Sequence, residues 1–205
     1  LNYFLDIGSH LGTYSDLILK DFKRCKILMF EPQIKIFEKI KKKYKNIKNI
    51  KIYNFAASNK VTIKKIYINQ HDLTSSLSVI NVKNNTYYKL KSKLFGTTSS
   101  GMISSEEKVK TINLSKIIKL NKIKTIDLAK IDTEGHELEV LKGFKNNIKN
   151  VKYVLIEFRN DKIYRSYNSK KIHNYLIKNK FILKDIMKFP FTTWEDRFYF
   201  NSRFK

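Results

Sequence analysis

Hydrophobic and polar positions follow two different periods along the first half of the chain. Continuous apolar runs predict β-strands at Leu1–Ile7, Lys26–Phe30 and Ile50–Ala57. Between these runs, apolar residues recur at helical spacing over residues 11–22 and 34–44, which predicts two helices. Strands that alternate with helices favour a parallel sheet with helices packed on it. The first half is therefore predicted to have an α/β fold.

The pattern is looser from Asn59 to Lys124, where Ser, Thr, Asn and Lys dominate and only Val61–Ile68 and Val109–Ile118 look ordered. Long irregular stretches in compact domains are usually functional or disordered, so we expect this region to be a variable part on the substrate side. Regular elements return afterwards, as strands at Ile126–Ile131 and Val151–Phe158, helices at His136–Phe144 and Lys170–Lys180, and a closing hairpin of Phe181–Met187 with Arg197–Asn201. The 205 residues are expected to form a single domain, a mostly parallel sheet with helices on both faces and an antiparallel C-terminal hairpin.

The chain is strongly basic, with 42 Lys and Arg residues against 18 Asp and Glu and a formal net charge of +24. Only five of the basic residues are Arg, whereas specific recognition of phosphates and bases favours the guanidinium group. The abundance of Lys, Ile and Asn is also what a genome biased towards AT-rich codons produces. Nucleic-acid binding is therefore an alternative that the charge alone does not establish.

No apolar run approaches the roughly 18 to 20 residues of a membrane-spanning helix, and the single cysteine, Cys25, excludes an internal disulfide framework. We therefore expect a soluble, cytoplasmic protein. Leu1 is not an initiator methionine and already belongs to a predicted strand, so we expect further sequence to precede it.

A glycine-containing turn, DIGSHLG from Asp6 to Gly12, joins the first predicted strand to the first helix. Gly8 and Gly12, with Ser9 between them, let the backbone approach a ligand and expose helix N-terminal amides to it. The turn lacks the additional glycine of the dinucleotide fingerprint, which disfavours NAD and an oxidoreductase. The Asp6 carboxylate would repel phosphate but suits an ammonium group, such as the amino-acid end of S-adenosylmethionine. A plain strand-to-helix turn is the alternative.

Glu31 ends the second strand, 25 residues after Asp6. This is close to the roughly 20-residue offset at which an acidic side chain accepts hydrogen bonds from ribose hydroxyls. Pro32 would hold the turn that follows. Small side chains close the third strand, where Ala57 and Ser58 would border the edge of an adenine. Together with the glycine turn, these residues predict a ligand that contains adenosine.

A second group of closely spaced polar residues, KIDTEGHE from Lys130 to Glu137, lies at the end of the predicted fourth strand. Ligands of open α/β sheets bind at the carboxyl ends of strands where the strand order reverses, so Asp6 and Asp132 are expected to face one crevice. Asp132, Glu134 and His136 are candidates for a catalytic base that accepts a proton from a substrate hydroxyl. Helix capping by these residues is the alternative.

Lys130 interrupts an apolar strand and therefore needs a partner, for which Asp6 and Glu157 are candidates. The carboxylates of Asp132, Glu134 and Glu157 suit hard cations, but their spacing is no recognised ligand signature. No metal is therefore expected.

These motifs together resemble the FkbM-type methyltransferases, which are S-adenosylmethionine-dependent enzymes with a Rossmann-like class I fold. The resemblance lies in DIGSHLG at Asp6–Gly12, FEP at Phe30–Pro32, AASN at Ala56–Asn59 and KIDTEGHELEVLKGF from Lys130. Ser75-Ser76-Leu77 and the strand Val154–Phe158 extend it over residues 1 to about 160. Two departures are Ser9-His10, where Ala-Asn is common, and Thr111-Ile112-Asn113, where Thr-Leu-Asp is usual.

The resemblance implies transfer of a methyl group from S-adenosylmethionine to an oxygen, often on a sugar or another small metabolite. By the matching motifs, Asp6 and the two glycines of its turn would hold the methionine part, and Glu31 would bind the ribose. Asp132 and Glu134 would lie near the methyl group and the acceptor. An RNA methyltransferase or a basic nucleic-acid-binding protein on the same fold is the alternative.

Overall fold

The computed structural model describes residues 1–69, 76–78, 103–160, 164, 167–190 and 192–205. The first elements are β1 (Tyr3–Ile7), α1 (Thr13–Asp21), β2 (Lys26–Phe30), α2 (Ile34–Lys43), β3 (Ile50–Tyr53), β4 (Ala56–Ala57) and β5 (Ile63–Asn69). They are followed by β6 (Ile103–Ile112), α3 (Leu114–Leu120), β7 (Ile126–Ile131), α4 (Glu137–Gly143), β8 (Val151–Arg159), α5 (Ser169–Lys178), β9 (Phe181–Lys188) and β10 (Trp194–Asn201). Among the described helices, none is long and apolar enough to cross a membrane.

Seven of the described strands form one sheet in the order β3-β2-β1-β7-β8-β10-β9. Neighbouring strands from β3 to β8 are parallel, whereas β10 runs antiparallel to both β8 and β9. β10 is thus inserted between two strands that precede it in the chain. The predicted mostly parallel sheet and antiparallel C-terminal hairpin are confirmed.

Both faces of this sheet are apolar, because successive side chains of a strand point to opposite sides. In β1, Leu5 packs into a core with side chains of α3, α4 and α5. The neighbouring Phe4 packs into a second core with Ile40 of α2 and with Ile18 of α1. The helices therefore cover the sheet on both faces, as the near-continuous apolar strands predict.

The prediction of one strand over Ile50–Ala57 is wrong, because two separate strands occupy this segment. Asn54 Nδ2 donates hydrogen bonds to the carbonyl oxygens of Glu31 and Pro32, at 3.0 and 2.9 Å, which turns the chain away from β2. Ala56–Ala57 then pairs with β6 in a second sheet of order β4-β6-β5. The apolar pattern continues through the turn and so does not reveal it.

The apolar run Val109–Ile118 also divides, into the end of β6 and the start of α3. Asn113 lies between them as the N-cap of α3, and its side chain accepts a hydrogen bond from the Lys116 N–H at 3.1 Å. This explains how Asn113 serves at a position where FkbM-type sequences usually have Asp, since capping requires only an oxygen acceptor. Residues 70–75 and 79–102, including Ser75 of the resemblance, lie outside the described residues.

Candidate active site

The glycine turn, Glu31 and Asp132 meet at one edge of the large sheet. β1 lies between β2 and β7, where the strand order reverses. Asp6 of β1 stands in register with Met29 of β2 and Lys130 of β7, so the segments that follow these strands emerge side by side. The predicted crevice at the carboxyl ends of the central strands is therefore present.

An open cleft lies at this edge, with about 610 Å³ of space that includes the solvent at its mouth. Its lining combines Gly8 and the polar residues His10, Glu31, Gln33, Asp132, Thr133 and Glu134 with the apolar residues Ile7, Phe30, Pro32, Phe55, Ala56, Ala57, Ile66 and Leu77. Of the site residues predicted from the sequence, Gly8, Glu31, Pro32, Ala57, Asp132 and Glu134 line the cleft, whereas Asp6, Ser9, Gly12, Ser58 and His136 do not.

The backbone of the turn after β1 requires glycine at two positions. Gly8 has a φ of 76°, and a Cβ there would lie 1.8 Å from the carbonyl oxygen of Asp132. Gly12 has a φ of 80°, and a Cβ there would lie 2.3 Å from the hydroxyl of Tyr44. His10 adopts a φ of 44°, a left-handed conformation that suits the Asn common at this position in FkbM-type sequences. Ser9 is buried and its N–H donates to the Phe30 carbonyl at 3.1 Å.

Glu31 is fixed in the wall of the cleft by two backbone groups. Its Oε2 accepts a hydrogen bond from the His10 N–H at 3.0 Å, and its Oε1 accepts one from the Gln33 N–H at 2.9 Å. Burial raises the pKa of the Glu31 carboxyl to about 7, although both N–H groups favour its ionised form. The end of β2 and the glycine turn are thus joined through one carboxylate that still has free acceptor positions.

Lys130 connects the segments beneath the cleft. Its Nζ donates to the Gly8 carbonyl at 2.9 Å and lies 3.2 Å from Asp132 Oδ2 and 3.8 Å from Asp6 Oδ1. Burial opposes the charge of Lys130, but Asp132 and Asp6 outweigh this effect and raise its pKa above the ordinary value. The predicted partner Asp6 is therefore confirmed, and Asp132 is the nearer one.

Asp6 is fully buried and does not reach the cleft. It accepts a hydrogen bond from Ser15 Oγ at 2.7 Å, and it faces Lys130 below the glycine turn. Burial raises the pKa of Asp6, and the Lys130 charge counteracts this shift. In this structure the Asp6 side chain anchors α1 and Lys130, and its contact with a ligand ammonium stays a prediction.

A cluster of three carboxyl groups forms the far end of the site. Oxygens of Asp132, Glu134 and Glu157 lie within 4.8 Å of one another. Arg159 Nη1 donates to Glu134 at 3.0 Å and to Glu157 at 2.8 Å, and the Tyr164 hydroxyl donates to Glu134 at 2.5 Å. Lys130 lies beside Asp132, so Lys130 and Arg159 together supply positive charge to this cluster. The expectation that no metal binds here stays a prediction.

The environment separates the pKa values of these acids. Burial alone would raise the pKa of Asp132, but Lys130 holds it below its usual range. Burial raises the pKa of Glu134 to about 7 against the opposing charge of Arg159. Burial together with the charges of Asp132 and Glu134 raises the pKa of Glu157 to about 10. Asp132 is therefore the member of the cluster that is ionised at neutral pH.

The segment between β7 and α4 is a sharp, internally bonded turn. Glu134 and Gly135 have φ values of 52° and 93°, and a Cβ on Gly135 would lie 2.5 Å from the ring of Tyr164. Oε1 of Glu137 accepts hydrogen bonds from the N–H groups of Thr133 and Gly135, at 3.1 and 2.9 Å. Strained backbone of this kind persists only where its surroundings hold it, and it is common at functional sites.

His136 is not part of the cleft. It is buried, and its Nε2 lies 3.0 Å from the Oγ of Ser58, which is itself fully buried. Burial lowers the pKa of His136 to about 4, so the ring is neutral at physiological pH. The two side chains join α4 to the end of β4 inside the protein, and a role of His136 as base or of Ser58 as cofactor contact stays a prediction without support from this placement.

Arg159 and Tyr164 both contact Glu134, although neither is among the site residues predicted from the sequence. The sequence does contain an indication for Arg159. It is one of only five arginines, and it follows Glu157 by two residues at the end of an apolar strand. Residues two apart in a strand share one face, so this Glu-x-Arg pattern predicts a paired charge cluster.

Comparisons with known proteins agree with this architecture. The methyltransferase FkbM domain matches residues 6–183. The hexuronic acid methyltransferase AglP of Haloferax volcanii is 39% identical over 49 residues, which cover 24% of this chain and about a fifth (20%) of that protein.

Two solved structures share the fold. TrmK of M. capricolum in complex with S-adenosyl-homocysteine has a TM-score of 0.54 and 10% identity, over 98% of this chain and 62% of that chain. Aeropyrum pernix fibrillarin with natively bound S-adenosyl-L-methionine has a TM-score of 0.55 and 10% identity, over 97% of this chain and 66% of that chain. At such low identity these likenesses concern the fold alone, whereas the domain match spans most of the sequence. The chain belongs to the FkbM methyltransferase family.

Proposed function

We propose that this protein is an S-adenosylmethionine-dependent O-methyltransferase whose acceptor is a hydroxyl group of a small molecule or a sugar. The observation that carries the proposal is the position of Glu31, which is fixed in the wall of the same cleft as Asp132 and Glu134. One carboxylate is thus presented at the end of β2 for ribose hydroxyls, and two more are presented at the end of β7 for an acceptor.

The residues of the cleft fit the cofactor. Glu31 would accept hydrogen bonds from the ribose, Gly8 would lie beside the methionine part, and the apolar wall around Pro32 and Ala57 would hold the adenine. When bound, S-adenosylmethionine supplies a methyl group that is already activated by its sulfonium centre. The structures of TrmK and fibrillarin, which hold S-adenosyl-homocysteine and S-adenosyl-L-methionine, support this assignment.

Asp132 is our candidate for the base. Its side chain is about one third (34%) exposed, whereas that of Lys130 is 6% exposed and holds it in place. An ionised carboxylate that lines the cleft can orient an acceptor hydroxyl and take its proton, which contributes about 10² to 10⁴ in rate. Glu134 lies beside it and can bind a further hydroxyl of the same acceptor.

A sugar is the acceptor class that the surroundings favour. Glu31, Asp132 and Glu134 all line the cleft and offer acceptors to hydroxyl groups, whereas no Lys or Arg is among the described residues that line it to bind the phosphates of a nucleic acid. Trp194, 36% exposed, begins the antiparallel strand β10 and hence lies at the same edge, with Arg159 stacked 5.5 Å from its ring centre. Aromatic rings at such positions pack against the apolar faces of ligands. The partial identity to a hexuronic acid methyltransferase supports the same class.

We further propose that residues 1–205 form one domain in which the region 59–124 contributes to the acceptor side. The described part of that region supports this, since Leu77 lines the cleft. Ser76 Oγ donates to the carbonyl of Glu134, and Ser78 Oγ donates to the carbonyl of Gly135 at 2.8 Å.

The cofactor assignment is tested by calorimetric titration of the purified protein with S-adenosylmethionine. We expect saturable binding that Glu31→Ala weakens roughly ten- to a hundredfold, because hydrogen bonds to a charged group are lost. Glu38→Ala, an exposed acid on α2, is the matched control and should bind normally. Absence of binding by the wild-type protein at near-millimolar cofactor would reject the proposal.

The acceptor assignment is tested by transfer of labelled methyl groups to a panel of sugars and uronic acids. Trp194 is the only tryptophan of the chain, so a change in its fluorescence on addition of a sugar would support binding of the acceptor beside β10. Methylation of RNA but of no sugar would contradict the acceptor class.

A further inference from the structure

We propose that Glu157 carries a proton which it shares with Asp132, and that this carboxyl pair, with Glu157 as the positioning residue, is the proton-accepting unit of the acceptor site. The reaction role rests on the proposed function, whereas the shared proton follows from the structure of the cluster alone.

The sheet register places the two side chains opposite each other. Lys130 of β7 pairs with Leu155 of β8, and Ile131 pairs with Ile156. The next residues along these parallel strands are Asp132 and Glu157, whose carboxyl oxygens lie within 4.8 Å of each other. Two carboxyl groups this close repel each other when both are ionised, which favours a proton on one of them.

The charges of the cluster lead to the same conclusion. Each of two buried bases bridges two acids, Lys130 between Asp6 and Asp132, and Arg159 between Glu134 and Glu157. Four ionised acids against two bases would leave a net charge of −2 in a largely buried place, which is costly unless an acid is protonated.

The proton belongs on Glu157 rather than on Asp132. Lys130 Nζ lies 3.2 Å from Asp132, which favours the ionised form of that group. The charged groups beside Glu157 are Asp132 and Glu134, within 4.8 Å, and Arg159 of its own strand at 2.8 Å. Asp196 stands opposite on β10, but its carboxylate accepts a hydrogen bond from Tyr14. Burial and two acids against one base favour the neutral form, in agreement with the raised pKa of Glu157.

This arrangement prepares Asp132 for the reaction. The neutral Glu157 donates its O–H to Asp132 and fixes the orientation of that carboxylate, while one negative charge remains on the pair. As the acceptor oxygen forms its bond to the methyl carbon, its proton passes to Asp132, and the sulfur keeps the electron pair of the broken carbon–sulfur bond. Glu157 keeps its own proton throughout.

The first test compares an uncharged mimic with a deletion. The amide of Glu157→Gln can donate to Asp132 and accept from Arg159, so we expect kcat within about threefold of the wild type. Glu157→Ala should lower kcat at least about tenfold with little change in KM, and Asp132→Asn should lower it about a hundredfold or more. If Glu157→Gln is as inactive as Asp132→Asn, Glu157 acts in its ionised form and the proposal is wrong.

The second test needs no turnover. A carboxyl that is neutral in the folded protein and ionised in the unfolded chain makes the protein less stable as the pH rises from about 4.3 towards its folded pKa. We therefore expect the unfolding constant of the wild type, measured in urea from pH 6 to 9, to rise relative to that of Glu157→Gln by up to about tenfold per pH unit. Glu139→Gln, a more exposed acid on α4, should follow the wild type.

Parallel stability curves for the wild type and Glu157→Gln would overturn the proposal. So would stabilisation of the wild type by MgCl₂ that Glu157→Gln abolishes, because a metal ion would then hold the cluster. If the curves diverge but no acceptor is methylated, the carboxyl pair stands and the proposed function fails.

Discussion

Lys130 is the single residue on which most of the site depends. Its side chain is 6% exposed in a central strand, and its ammonium group contacts the glycine turn, Asp6 beneath that turn and Asp132 at the end of β7. An ammonium group this deeply buried persists only when it is paired. Lys130 therefore holds the cofactor side and the acceptor side of the cleft in one geometry.

Replacement of Lys130 by Met should lower the free energy of unfolding by about 3–5 kcal/mol, because the two acids lose their buried partner. The double variant Lys130→Met/Asp6→Asn should regain part of this loss, since it removes one uncompensated charge. Urea denaturation measures both effects. Lys51→Met on β3, where the lysine is exposed, is the control and should stay within about 0.5 kcal/mol of the wild type. A loss equal to that of the control would show that the pairing contributes nothing.

The sequence predicts the strand end that each site residue occupies better than the direction of its side chain. Glu31 lines the cleft as its spacing predicts, because two N–H groups from neighbouring turns hold it there. Asp6 and His136 point inward instead. Their orientation depends on Lys130 and Ser58, which are distant in the sequence, and on the backbone turn at Glu134. Neither periodicity nor spacing contains that information.

At the scale of elements, the connection from β7 to α4 determines the geometry of the acceptor side. Thr133, Glu134 and Gly135 form a turn whose N–H groups are not used by regular secondary structure. Glu137, the first residue of α4, accepts from two of them through one carboxylate oxygen. The helix thus secures the turn that precedes it, and through the turn it positions Asp132 and Glu134.

Glu137→Ala should lower the stability by about 1–3 kcal/mol, because two partly buried N–H groups lose their charged acceptor. It should also lower kcat about ten- to a hundredfold, since the carboxylates of the turn lose their fixed positions, while cofactor affinity changes less. Denaturation and steady-state kinetics check these expectations. Glu139→Ala lies two residues further on, contacts only Lys142 among its described ion pairs, and should retain both properties. Equal effects of the two substitutions would contradict the role of Glu137.

Most elements are predictable from the apolar periods, because a strand or helix that packs against a core must repeat its apolar positions. β2 and β7 match their predicted bounds. The division of Ile50–Ala57 into β3 and β4 is not predictable in this way. It results from side-chain hydrogen bonds of Asn54 to the carbonyls of Glu31 and Pro32, which leave no trace in the hydrophobic pattern.

For the whole molecule, the net charge of +24 contrasts with a cleft in which three of the lining side chains are acidic. The basic surface attracts any polyanion without regard to sequence, because binding is driven by released counterions. Among the described residues that line the cleft there is no Lys or Arg to bind the phosphates of the same polyanion. Surface and site therefore select for different partners.

We accordingly expect weak, sequence-independent binding of single-stranded RNA oligonucleotides at low salt. Affinity should fall about a thousandfold between roughly 50 and 200 mM salt, as for a protein that contacts several phosphates. Fluorescence anisotropy with labelled oligonucleotides of different sequence measures this. Sugar methylation should change far less over the same salt range. Tight binding of one RNA sequence that persists at high salt would instead favour an RNA methyltransferase.

The order β8-β10-β9 has a consequence for biosynthesis. β9 is synthesised before β10, but in the sheet it lies next to β10 and not next to β8. Its partner strand in this sheet is therefore missing until β10 has been synthesised. Asp196 belongs to β10, and its carboxylate accepts a hydrogen bond from the hydroxyl of Tyr14 in α1. This contact between β10 and α1 also forms only after β10 has been synthesised. A nascent chain that stops before Trp194 therefore carries every residue that lines the cleft but an unfinished sheet, which only the synthesis of β10 completes.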